Sequence, residues 1–366
     1  MKRLILGVVM IGVATPAFAQ LGAIRKGLDT AKKVQGLNVT DEEAQEIGAS
    51  VSERIRQRYG VVQDEAVTKY VALVGSVVAQ EIAGDAKGYT FIVLDTDAVN
   101  AFATPGGYVH ITRGALGLIG NEAELAGVLG HEISHVTEKH TIKAIEKSNR
   151  IKMTTETVAG DREVLAQVTN LTYEHVIENS FDRKDEMGSD KIGVAAANKA
   201  GYDPKGLSAF LQRLADRNSG ATSKRGLFAS HPDIEARIKQ IAKQIKDDKL
   251  GATATVEARY KQYISYEAKA QADIAMVEAG ASGLAEGAPA KEEAKKEEEP
   301  KKKGFGLSSL IKPAGPEKQS AQVMASGGAR GVGDPERDAK GGPNPNVVTV
   351  RVTPAQIAEF RKGIGA

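Results

Sequence analysis

His131-Glu132-Ile133-Ser134-His135 reads HEISH, and the interpretation of the whole chain turns on it. On a helix, residues four apart share a face. His131 and His135 can then aim two imidazoles at one Zn²⁺, with Glu132 beside the open coordination position to work on a bound water. The motif asks four things of the rest of the chain: a helix, a third ligand, a substrate groove and a compartment.

The helix is expected from the flanking residues. Asn121 reads as an N-cap, with Glu124 three residues on forming a capping-box-like pair. Leu125, Val128, Leu129 and Val136 supply an apolar stripe for a helix running to about Ala144. Upstream, helical spacing predicts one helix from Asp41 to Tyr59, stopped by Gly60, and a second from Asp64 to Ala83, stopped by Gly84. Three β-rich runs follow, at 89–94, 99–103 and 108–112. Pro105-Gly106-Gly107 between the last two predicts a hairpin. Downstream, a long helix is expected from about Val164 to Ala200 and another from Pro204. Beyond Ser230-His231-Pro232 comes a basic helix containing Arg237, Ile238 and Ile241. The fold class is therefore α+β and predominantly helical, with a small sheet or hairpin packed on the HEISH helix.

The ends of the chain read differently. Lys2 and Arg3, an apolar core to Ala14 and Ala17-Phe18-Ala19 form a secretory signal pattern over residues 1–19, which predicts an exported protein, periplasmic or secreted. An uncleaved membrane anchor is the competing reading, disfavoured by the short apolar run. No later apolar run reaches 18 residues, so no transmembrane helix is expected in the mature chain. Residues 20–280 hold the expected catalytic domain, with its core at about 41–242. Residues 281–345 are rich in Lys, Glu, Gly and Pro and read as a low-complexity linker. In 346–366, a strand over Asn346–Val352 and a short helix capped by Thr353-Pro354, carrying Ile357 and Phe360, are expected.

Composition narrows the function. A formal net charge of +2 argues against a dedicated nucleic-acid binder. With no cysteine among 366 residues, disulfides and thiolate metal sites are excluded, so a metal has to be held by histidine and carboxylate. Glu186, within FDRKDEMGSD at 181–190, is a candidate third ligand. Asp190, one helical turn further on the same face, could accept a ring N–H from a ligand histidine. A solvated charged face is the alternative for this polar stretch. His110 and His175 read as structural. His140, five residues beyond His135, is turned off the ligand face and is given no metal role.

Five motifs occur in order: NAFATPGGYVHITRGAL, HEISHVTEKH, RKDEMGSD, AGYDPKG and SHPDIEARI. Together they resemble the M48 zinc metallopeptidase family, which includes the membrane protease HtpX, the CAAX prenyl proteases and soluble periplasmic relatives. The resemblance spans about Asp41 to Ala242. It implies a zincin-like fold and one zinc held by His131, His135 and Glu186, with Asp190 supporting a ligand and Glu132 as general base. It further implies that His231 and Arg237 contact substrate or transition state. For His231 a structural role before Pro232 and direct contact with the metal also stand open. The hairpin offers an edge for an extended peptide, so Asn100, Ala101, Gly106 and Gly107 are candidate substrate-binding residues; turn chemistry alone is the alternative for Asn100 and Ala101. The activity so implied is a zinc endopeptidase acting on exported or envelope polypeptides, in protein quality control. A non-catalytic, zinc-stabilised envelope chaperone or adaptor is the competing function.

Overall fold

The computed structural model describes residues 39–147, 161–178, 180–219, 231–269, 279–280, 283–284 and 350–365. The expected signal segment lies outside them, as does the low-complexity stretch apart from Gly283–Leu284. Helix α1 (Asp41–Tyr59) starts at a capping box in which Thr40 and Glu43 satisfy each other's backbone N–H. Helix α2 (Glu65–Ala83) starts at Asp64 and ends at a left-handed Gly84.

Strands β1 (Thr90–Leu94), β2 (Ala101–Thr104) and β3 (Tyr108–Thr112) form one sheet in the order β1-β3-β2. β3 runs parallel to β1 and antiparallel to β2, so the expected hairpin is present, closed by a 3-10 turn at Pro105–Gly107. Alternation along the strands divides the core in two. Phe91, Val93, Ala101, Ala103, Val109 and Ile111 face the main core. Ile92, Leu94 and Phe102 pack instead with Ile47, Val51 and Ile55 of α1. Helices thus cover both faces of the sheet.

Short helix α3 (Arg113–Leu118) leads to α4 (Glu122–Thr137), which carries HEISH. Asn121 caps α4 through the Glu124 N–H, and β2 packs against α4. The expected continuation of this helix to Ala144 is not found. The backbone turns at Lys139, whose φ is 54°, and α5 restarts at His140 and runs to Lys147.

Similarly, the single helix expected over 164–200 is two, α6 (Asp161–Glu178) and α7 (Arg183–Ala200). Phe181 lies between them, its ring against His135 with centroids 4.1 Å apart. Next come α8 (Gly206–Arg217), α9 (Ile234–Asp247) and α10 (Glu257–Tyr263). A two-residue ladder joins β4 (Ala279–Gly280) and β5 (Gly283–Leu284).

The expected strand at 346–352 is described only over 350–352, which is irregular. Helix α11 (Pro354–Lys362) follows, with the expected cap at Thr353. It docks against α2, burying Ile357 and Ile364, while Arg361 pairs with Glu81 at 2.6 Å.

Glu65–Ala83 is, by length and composition, apolar enough to span a bilayer. In the fold that helix is a core element: Val67, Val71, Val74 and Val78 are buried against the sheet and the neighbouring helices.

Two helices set the site. α4 crosses α7 at Gly130 and Gly193, where a Cβ on Gly193 would stand 2.7 Å from the Gly130 carbonyl carbon and from the His131 N. No larger residue fits at that separation. The crossing brings one turn of α7, with Glu186 and Asp190, against the face of α4 that bears His131 and His135.

Candidate metal centre

His131, His135, Glu186 and His231 are all buried, and one donor atom from each lies within 4.8 Å of the others. His131 Nε2 is 3.0 Å from His135 Nε2 and 3.2 Å from His231 Nδ1. Glu186 Oε1 is 2.9 Å from His231 Nδ1 and 3.3 Å from His135 Nε2. α4 supplies two of these groups and α7 a third. His231 comes from the turn that enters α9.

The supporting contacts determine the tautomer of His131. Its Nδ1 is 2.8 Å from Asp190 Oδ1, so Nδ1–H donates to the carboxylate and the Nε2 lone pair points into the cluster. Asp190 is also gripped by both arms of Arg237: Nε reaches Oδ2 at 2.8 Å and Nη2 reaches Oδ1 at 2.6 Å. Arg237 Nη1 is 2.7 Å from Glu186 Oε2. Arg237 is only 1% exposed. The resemblance implied a substrate or transition-state contact for it; the structure places it behind the ligands, bracing two carboxylates.

The electrostatics follow from burial and these pairings. Burial works to raise the Glu186 carboxyl, but His231 and His131 beside it hold it well below the ordinary range. Asp190 is likewise lowered, with burial opposed by Arg237. Burial drives the His135 imidazolium well below its usual pKa, which favours the neutral, ligating ring. Burial pushes Glu132 upward against the pull of His231 and His131. Its Oε1 has no hydrogen-bond partner among the described residues and lies 3.7 Å from His231 Nε2.

These features fit a bound cation. Three imidazole nitrogens and an ionised carboxylate converge in a buried space, where shared protons or a cation must lie between their lone pairs. An all-nitrogen-and-oxygen set of this kind suits zinc.

Residues 65–245 match Peptidase family M48. The chain carries a peptidase family M48 domain. Over 240 residues it is 26% identical to the beta-barrel assembly-enhancing protease of Escherichia coli (strain K12), an alignment covering 62% of this chain and 48% of that protein. It is 26% identical over 185 residues to the metalloprotease YcaL of the same organism, covering 50% of this chain and 71% of YcaL. It is 30% identical over 143 residues to the mitochondrial metalloendopeptidase OMA1 of Schizosaccharomyces pombe, covering 39% and 42% respectively. The chain spans about half the length of the beta-barrel assembly-enhancing proteases it matches.

A cavity of about 360 Å³ is lined by His135 and, among others, Val39, Tyr89, Ala103, Gly106 and Gly107. Gly106 and Gly107 have φ of 74° and 90°, and a Cβ on Gly107 would stand 2.0 Å from the Gly88 carbonyl oxygen, so this wall requires glycine. Asn100 and Ala101 are not among the cavity-lining residues. Asn100 Oδ1 accepts from the Ala101 N–H and its own N–H reaches Thr112, which is turn chemistry.

Two residues near the metal centre were passed over in the sequence. Phe181 is an apolar wall on His135. His140, given no metal role, has its Nδ1 3.1 Å from His135 Nδ1. Neither carries a motif of its own; only the break between α4 and α5 returns His140 to the site. His110 is structural, as expected: it is fully buried in β3 with the Ser52 hydroxyl 2.9 Å from its Nε2.

Proposed function

We propose that the chain is a zinc-dependent endopeptidase that cleaves exported or envelope polypeptides, within protein quality control. The observation that carries this reading is the convergence of His131, His135, Glu186 and His231 beside Glu132, whose Oε1 has no hydrogen-bond partner among the described residues. The names of the relatives, two of them proteases of E. coli, support the substrate class. The export pattern at 1–19 supports the periplasm as its place of action.

In this reading His131, His135 and Glu186 hold one zinc, which supplies Lewis acidity toward a water and a peptide carbonyl. Glu132 accepts the proton from the attacking water and returns it to the departing amide nitrogen. Its upward shift brings the carboxylate closer to the pH at which it works in both directions. Asp190 keeps His131 in the ligating tautomer, and Arg237 holds Asp190 and Glu186 in place. The cavity beside His135 receives the substrate, with Gly106 and Gly107 letting its backbone approach closely.

His231 bears on a second reading. Four protein donors, with His231 among them, would leave a bound zinc no open position, which is the pattern of structural sites. A zinc-stabilised, non-catalytic envelope chaperone or adaptor would keep it so; a peptidase requires His231 to cede its place. Stripping the protein with a chelator and restoring one equivalent of zinc separates the two. Cleavage of an unfolded protein that disappears and returns supports the peptidase. A zinc-loaded protein that binds unfolded chains without cutting them supports the adaptor.

A further inference from the structure

We infer that His140 is the positioning partner of the ligand His135, forming a His135–His140–Asp185 relay that sets the tautomer of the ligand and strengthens its hold on the metal; this rests on the zinc reading above. The two ring nitrogens of His135 face different ways. Nε2 points into the donor cluster, 3.0 Å from His131 Nε2. Nδ1 points outward, 3.1 Å from His140 Nδ1. One of these two Nδ1 atoms has to carry the hydrogen. A proton on His140 Nδ1 would leave His135 protonated on Nε2, unable to ligate.

The surroundings of His140 select the other arrangement. Its Nε2 faces the Asp185 carboxylate at 3.7 Å, the natural side for its own proton. Its Nδ1 also has the Ser189 hydroxyl at 3.3 Å, a group that can donate to the same lone pair. His140 Nδ1 therefore accepts, His135 Nδ1–H donates, and His135 Nε2 is left bare for the metal. His140 is 5% exposed and packed near Phe181, so little water competes for the ring.

The two ligand histidines are thus buttressed by different chemistry. His131 donates to a carboxylate pinned by a guanidinium, and His135 to a neutral imidazole. Asp185 and Ser189 flank Glu186 on the first turns of α7, and Asp190 follows. One short segment consequently supplies the third ligand, the acceptor for His131 and the groups that face His140.

The test is zinc affinity of the full chain by chelator competition, together with ¹⁵N-histidine NMR of the zinc-loaded wild type. His140→Phe keeps a ring but removes the acceptor, and should weaken zinc about 10- to 100-fold. His140→Asn places a carbonyl oxygen near the Nδ1 position and should recover most of the loss. In the wild type, NMR should show His135 protonated on Nδ1 and His140 protonated on Nε2 only. An affinity of His140→Phe equal to wild type, or a proton on His140 Nδ1, overturns the relay; the NMR result decides even if the variant does not fold. A wild-type chain that binds no zinc overturns the underlying reading instead.

Discussion

Gly193 of α7 lies against Gly130 of α4 so closely that a Cβ on Gly193 would stand 2.7 Å from the Gly130 carbonyl carbon. The contact sits immediately before His131 and one turn past Ser189. It sets the distance between the helix bearing two imidazoles and the helix bearing Glu186 and Asp190. Gly193→Ala should therefore cost about 1–3 kcal/mol through overpacking and loosen zinc binding, read by thermal unfolding and chelator competition. Gly188→Ala, on the same helix with nothing within 4 Å of its added Cβ, should leave zinc binding unchanged and raise stability by about 0.5–1 kcal/mol through helix propensity.

Arg237 is the second lever on the ligands. It is buried and pairs with both Asp190 and Glu186, so its removal strands two carboxylates. Arg237→Met should destabilise the chain by about 3–5 kcal/mol. Asp190→Asn should be milder for folding but weaken zinc about 10- to 100-fold, since His131 loses its charged acceptor. Had Arg237 served mainly to contact substrate, Arg237→Met would raise KM with stability and zinc content intact.

His110 makes the fold acid-sensitive. Burial pushes its pKa down to about 3, against roughly 6.5 in an unfolded chain. Below pH ~6.5 the unfolded state takes up a proton that the folded state refuses until near pH 3, so this contribution to stability is complete above ~6.5 and is lost as pH falls. The slope is about 1.4 kcal/mol per pH unit. His110→Asn should flatten the decline in denaturant midpoint between pH 6 and 4 relative to wild type. Parallel declines for the two proteins would refute the assignment.

The carboxy-terminal helix contributes no residue to the cavity lining. Phe360 lies under the Arg259 guanidinium, 4.0 Å from ring centroid to carbon, and its carbonyl accepts from Nη1 at 3.3 Å. Arg259 in turn pairs with Glu122 at the start of α4, where the Tyr70 and Tyr202 hydroxyls also donate at 2.8 and 2.7 Å. Ile357→Ala should cost about 2–4 kcal/mol by creating a cavity. Zinc stoichiometry, measured on the same protein, should stay at that of the wild type.

Much of this was legible in the chain because the signals were local. Gly60, Gly84 and Gly201 end helices where glycine should, and Asn121 and Thr353 cap them. The ligand face followed from the helical repeat, and Asp190 was found from its place one turn beyond Glu186. What escaped was tertiary. Lys139 adopts a positive φ without being glycine, and the α6–α7 break contains no proline or glycine to announce it. On a straight helix His140 would sit about 140° away from His135; the turn at Lys139 reverses that. The partners of Arg237, Asp190 and Glu186, come from a helix distant in sequence, so its bracing contacts carry no local signal.

In the proposed function Glu132 performs the proton transfers of zinc-dependent peptide hydrolysis. Glu132→Gln is nearly isosteric and leaves the four donor groups in place, so the decisive measurement is cleavage of an unfolded protein by this variant at confirmed zinc loading. The expected result is one zinc per chain, as in the wild type, with cleavage reduced about 10²- to 10⁴-fold. Zinc-loaded Glu132→Gln cutting at the wild-type rate would contradict it.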